Sequence, residues 1–315
     1  MLAEMMREST RRRCTVIAAL TLAAGLATAE AQTPQTEPKE TPTAATAPAA
    51  SQNQKPVMRA GPSLDDAFDN MYRLKFDEAR AVIREYERTH PHDALGTVAE
   101  AASYLFEEFQ HKGVFSSAFF LDDKKLLVGV DGAVEENRNP KFLDADRRAR
   151  DLANVRLHTN SMDTEALLVL ALADGMESDY DALIEKKQLA SLEMMRQADS
   201  EAARVLALDP KVQDAYVSLG VASYIIGCLP SYKRAFLWFG GIHGDRMRGI
   251  QEMQSAAANG HYLRPFAKIM LALADEREHR YDRARDLLAE LAEEFPENPH
   301  FADELAIANR ALDRH

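Results

Sequence analysis

The stretch Tyr281–Pro299, YDRARDLLAELAEEFPENP, decides the fold class. Tyr281, Ala284, Leu287, Leu288, Leu291 and Phe295 recur at steps of three and four, which places them on one face of a helix that stops at Pro296. Asn298-Pro299 then supplies the N-cap and first-turn proline of a last helix. The pattern returns near residue 63. Ser63 can cap a helix carrying Leu64, Ala67, Phe68, Met71 and Leu74 on one face, with Asp66 in the capping-box position. Phe76, Ala79, Ile83 and Tyr86 line the next helix, which ends before Pro91. In between, a long helix is predicted from about Asp181 to Leu208, with Leu183, Leu189, Leu192, Met195, Ala202 and Leu206 inward, and Asp209-Pro210 opens its successor. The expectation is an all-α chain of antiparallel helix pairs.

The spacing of small residues sharpens this. Ala79 lies twelve residues before Pro91, Ala198 twelve before Pro210, and Ala284 twelve before Pro296. Twelve residues before those alanines stand Ala67, Lys186 and Ala272, two of them small, where paired helices would approach closely. Tyr216-x-x-Leu219-Gly220 adds a further element. Together these resemble the tetratricopeptide repeat (TPR), a helix–turn–helix unit of about 34 residues with small residues at both places and a closing proline. The resemblance is clearest over residues 63–92 and 262–298 and weaker over 180–228. It implies a TPR-like right-handed α-solenoid with irregular repeats, whose concave face serves a non-catalytic scaffold or adaptor that binds a protein or peptide.

Two segments fit no repeat. Residues 113–140 hold Phe115, Phe119, Phe120 and Leu121, suited either to the core or to a groove lining, and Asp131-Gly132, expected in a loop between helices. The second is an aromatic and Gly-rich insert at 228–249. The small residue expected about twelve positions after Gly220 is best matched by Gly249, 29 positions on, so about 17 residues are extra. The insert carries the only tryptophan, Trp238, with Tyr232, Phe236 and Phe239, and with Lys233, Arg234, His243, Asp245 and Arg246. Aromatic and Arg side chains dominate binding hot spots, so these nine residues form the candidate partner site. The competing expectation is a satellite core, with Asp245 as a helix cap and Arg246 in an ion pair. Residues 230–253 are also similar to a segment of the tetratricopeptide-domain-39 and inclusion-body-clearance family, through Gly241-Ile242-His243-Gly244-Asp245-Arg246 after the Leu229-Pro230 turn. That similarity implies a role in protein or lipid handling and brings no catalytic residue.

Outward from the helical region, residues 1–31 have the layout of a secretory signal peptide. Arg11-Arg12-Arg13 precede an apolar run from Cys14 to Ala29, with small-residue cleavage sites after Ala31 or Ala29. Residues 32–62 hold six of the 13 prolines among small and polar residues and suit a disordered linker. The domain plan is therefore leader 1–31, linker 32–62 and helical domain 63–315. It places the protein in the periplasm or otherwise outside the cytoplasm, with no stable membrane span after leader removal.

Composition narrows the function classes. With 38 basic against 50 acidic residues the net charge is -12, which disfavours nucleic acid as a partner. Cys14 and Cys228 are the only cysteines, too few for a disulfide scaffold or an all-cysteine metal site. No G-x-S-x-G, H-E-x-x-H, C-x-x-C or G-x-x-x-x-G-K motif occurs, so no catalytic residue, metal or cofactor is expected. His90-Pro91-His92-Asp93 suits a helix end better than a metal site. Asp179, Asp181 and Glu185 are expected at the start of the long helix, where acids favour the dipole. The alternative to protein binding is a carrier or sensor of an apolar, lipid-like ligand, which requires a closed pocket between residues 115–121 and 232–239.

Overall fold

A computed structural model describes residues 63–130, 138–239 and 241–314. The expected leader and linker and the Asp131-Gly132 loop lie outside the described residues. Among the described residues the protein is all-helical, without a strand.

Helices α1 (Leu64–Tyr72) and α2 (Phe76–Thr89) form the first hairpin. Ser63 caps α1 by accepting the Asp65 amide at 3.2 Å, so the capping bond falls one residue before the Asp66 expected. Helices α3 (Ala94–His111) and α6 (Asn139–Thr159) pair across an interruption that contains the short helices α4 (Ser117–Phe120) and α5 (Asp123–Val128). Helices α7 (Thr164–Leu183) and α8 (Gln188–Leu208) form the third pair. In the fourth, α9 (Tyr216–Cys228) packs on α11 (Arg246–Asn259) around the interposed α10 (Ser231–Phe239). Helices α12 (Arg264–Arg277) and α13 (Tyr281–Glu294) make the fifth, and α14 (Pro299–Leu312) covers α13, its Asn298 cap accepting the His300 amide at 3.1 Å. Both irregular segments are thus insertions between the two helices of a hairpin.

Three of these hairpins share one turn. Leu74, Lys186 and His279 are the only non-glycine residues with positive φ among those described, at 60°, 57° and 59°. Each sits between the two helices of a pair, and the residue after it donates its amide back into the preceding helix: Lys75 to Asn70 and Arg280 to Asp275, five residues back, and Lys187 to Asp181, six residues back. This corrects the long helix expected over 181–208. Lys186 is the turn residue, α8 begins at Gln188, and Leu189 is exposed instead of facing inward. Asp179 and Asp181 consequently close α7, where the dipole does not favour them, and do not open the next helix.

Aligned on the turns, Ala67 and Ala79 correspond to Ala272 and Ala284, and all four are buried. The same positions in the third hairpin are Asp179 and Ser191. In the fourth hairpin the expected pairing holds: a Cβ added to Gly249 would lie 2.6 Å from both the Gly220 carbonyl oxygen and the Tyr224 amide nitrogen. Only glycine lets α9 and α11 touch backbone to backbone there.

The first hairpin also meets the last. The Tyr72 hydroxyl donates to the Tyr262 carbonyl at 2.8 Å, Asn298 Nδ2 donates to the Tyr72 carbonyl at 2.8 Å, and the rings of Phe68 and Tyr262 lie 4.9 Å apart. In an open array each unit touches only its neighbours. Here contacts between sequence-distant hairpins leave the first helix of each pair around a common interior.

Candidate ligand pocket

That interior holds a cavity of about 180 Å³. The first helix of every hairpin contributes to its wall: Phe68 from α1, Val98, Ala102, Leu105, Phe106 and Phe109 from α3, Leu172, Gly175 and Met176 from α7, Val217, Val221, Ala222 and Ile225 from α9, and Phe266 and Met270 from α12. Phe115, Phe119, Phe120 and Leu126 of the first insertion close one side. Dry apolar cavities of roughly 150 Å³ accept a benzene-sized molecule, so this space is large enough for an organic ligand.

The insertion is held firmly in that position. The Ser117 amide donates to Glu304 at 3.3 Å, His300 Nε2 donates to the Phe115 carbonyl at 2.7 Å, and Arg277 Nη1 donates to the Phe120 carbonyl at 2.9 Å. Phe106 stacks on Phe266 at 5.3 Å, and Phe115 meets Phe106, Phe109 and Phe266 edge-on at 5.8–5.9 Å. The residues that suited core or groove therefore serve as both, except Leu121, which is exposed.

Polar side chains are concentrated on one wall. Ser178 and Asp179 come from α7, Ser191 and Asp199 from α8, and Ser218 from α9. Among the described residues no Lys, Arg or His lines the cavity. The Ser178 hydroxyl donates to the Ser191 carbonyl at 2.9 Å. Burial alone pushes the Asp179 carboxyl up to about 7. Asp199 also rises to about 7, through burial first and then the charge of Glu252, opposed by Arg248. Arg248 Nε is committed to Glu252 at 2.9 Å, and Asp199 Oδ1 is buried without a hydrogen-bond partner in the protein. Leaving an acceptor in that state costs about 1–3 kcal/mol. Sequence reasoning assigned Asp179 to a helix start and did not single out Asp199. The signal available was the hairpin register, in which Asp179 stands at a position that is alanine in two other hairpins.

Of the nine residues of the second insertion, the eight whose side chains are described lie elsewhere, and none of those eight lines the cavity. Tyr232, Trp238 and Phe239 are exposed at 70%, 60% and 82%, while Leu237 is the buried residue that seats α10. The backbone of Phe236 lies within α10. Lys233 is partly buried. Arg234 Nη1 and Arg246 Nε both donate to the Gly227 carbonyl, at 3.0 and 3.1 Å, and close the end of α9. Arg246 also pairs with Glu278 at 3.3 Å. Asp245 caps α11 by accepting the Arg248 amide at 2.8 Å, and His243 Nδ1 donates to the Gly241 carbonyl at 3.1 Å. The insertion thus combines a structural base with an exposed aromatic edge.

The remaining candidates have local roles. His90 stacks on Tyr86, and Asp93 caps α3. No group of three or more potential metal ligands occurs among the described residues. Among them, too, no helix is long and apolar enough to cross a membrane. Cys228 is partly buried, and burial raises its thiol. No protein-family model matches the chain, and no curated protein matches it in sequence.

Proposed function

We propose that this protein is an exported carrier or sensor that holds an apolar, lipid-like ligand inside a closed array of TPR-like hairpins. One observation carries the proposal: five hairpins each present apolar side chains to a single cavity, and an aromatic insertion covers the face that an open repeat array would offer to a peptide. A cavity of this kind matches the general form of small-molecule sites, apolar walls with a few polar groups. It contains Phe115, Phe119 and Phe120, as the carrier alternative required, and is completed by the first helices of the hairpins instead of by residues 232–239.

A homologous series of straight-chain alcohols tests it. Each added methylene is expected to strengthen binding by about 0.8 kcal/mol until the cavity is full, and then to stop doing so. Thermal shift or calorimetry should show that length cut-off. An absence of binding at every length would overturn the proposal.

A second reading rests on the other insertion. Tyr232, Trp238 and Phe239 expose aromatic surface on a short helix beside Lys233 and Arg234. This edge suits a protein or peptide partner at the cell envelope. A Trp238→Ala variant that keeps its melting temperature and loses a crosslinked envelope protein would support it, and one that keeps every crosslink would contradict it.

A further inference from the structure

The wall formed by α7 and α8 places two carboxyl groups in a mainly apolar cavity, and among the described residues no cation lines it. We propose that the ligand is an amine-bearing amphiphile whose ammonium group pairs with the carboxylate of either Asp179 or Asp199 while its apolar body fills the aromatic side. This rests on the cavity being a ligand site, and goes further by naming the ligand's chemical class.

The argument begins with what each acid lacks. Asp179 stands at the close-approach position that is Ala67 and Ala272 in other hairpins, so packing does not call for a carboxyl there. No charged side chain from any packed element acts on it; burial is the sole influence on its ionisation. Asp199 is acted on by Glu252 and Arg248 of α11, which are bonded to one another, and its Oδ1 has no donor. The nearby cations are also engaged. Arg150 of α6 binds Asp146, Asp174 and Glu177, Lys187 pairs with Glu185, and the Lys125 ammonium donates to the Ala118 carbonyl. Asp199 Oδ1 is thus buried with no donor in the protein, and the half-buried Asp179 has no charged partner on the cavity wall; a buried carboxylate without a donor is costly.

A ligand can supply the missing donor. An alkylammonium brings three N–H donors and a charge opposite to the carboxylates. A fatty acid anion would bring a third negative charge and no donor. An alcohol would bring one donor and no charge. Ser178, Ser191 and Ser218 on the same wall can accept or donate around the head group.

Asp179 and Asp199 occupy different levels of the wall. Ser178 touches Ser191, and Asp199 is eight residues beyond Ser191 on α8, or about 12 Å along the helix. A single ammonium therefore engages one acid at a time. The chain faces Phe106, Phe115 and Phe266.

The test uses octylamine, octanoate and 1-octanol, which share one chain length and differ in head group. Calorimetry on the whole chain at pH 8 is expected to show octylamine binding at least tenfold tighter than octanoate or octanol. Because both acids titrate near 7, that advantage should shrink toward parity with octanol at pH 5.5, while octylamine itself stays protonated. Asp179→Asn and, separately, Asp199→Asn should reduce octylamine binding and leave octanol binding within twofold; the loss in either one supports the assignment. Equal binding of all three probes at pH 8, or octylamine binding unchanged in both variants, would overturn it. If none of the three probes binds, the cavity proposal fails along with it.

Discussion

Single carboxyl groups carry much of the chemistry. Glu276 is 2% exposed, both of its carboxylate oxygens lack hydrogen-bond partners, and its pKa is raised to about 7 by burial and then by Glu304. Its unfolded value lies near 4.3, so the unfolded chain loses its proton first as the pH climbs. The stability tied to the protonated form is fully present at low pH and is lost as pH rises toward and through about 7. Glu276→Gln should therefore raise stability at pH 8 by roughly 1–3 kcal/mol and change little at pH 4, as measured by denaturant melts. A variant equally stabilised at both pH values would contradict this. Little at this scale was legible in advance. Ser63, Asp245 and Asn298 announced themselves as caps, because capping depends on local sequence. Asp179, Asp199 and Glu276 differ from surface acids only through what packs around them, and that depends on long-range contacts.

At the level of elements, the sequence was legible wherever helices are short and turns end in proline. The α1–α2 and α12–α13 hairpins follow the spacing of Ala67 to Pro91 and Ala272 to Pro296. The third hairpin deceived because α7 and α8 are longer, at 20 and 21 residues, so the twelve-residue step to Pro210 starts from Ala198, which meets Gly175, and not from the turn-proximal Ser191. Gly249 was identified across an insertion because the small-residue requirement survives when the spacing does not. Gly249→Ala should destabilise by about 1–3 kcal/mol, since its Cβ would strike the backbone of α9. Gly241→Ala, where nothing lies within 4 Å and only the φ of 79° is strained, should cost about 1 kcal/mol. Melting both variants checks the order; the reverse order would mean that α9 and α11 do not cross at that glycine.

At the scale of the helical region, contacts between the first and last hairpins bring the first helices around one partly open cavity. Nothing in local periodicity encodes it. Tyr72 and Asn298 read as a core aromatic and a helix cap, yet each also bonds the opposite end of the array. Tyr72→Phe removes the Tyr262 bond and keeps the ring on Phe295, so it should cost about 1 kcal/mol by chemical melting. It should also weaken the binding of a straight-chain alcohol. Unchanged stability and binding would show that closure does not depend on this contact.

The most direct measurement of the central claim is titration of an environment-sensitive naphthalene fluorophore into wild type, Ala102→Phe, Ala222→Phe and Trp238→Ala proteins of matched foldedness. Ala102 and Ala222 line the cavity, and Trp238 lies on the exposed insertion. An interior binding site predicts saturable binding by wild type and Trp238→Ala, and loss of at least tenfold in affinity in both cavity-filling variants. Binding that survives both fillings, or that disappears with Trp238 alone, would contradict it and move the site to the surface of the second insertion.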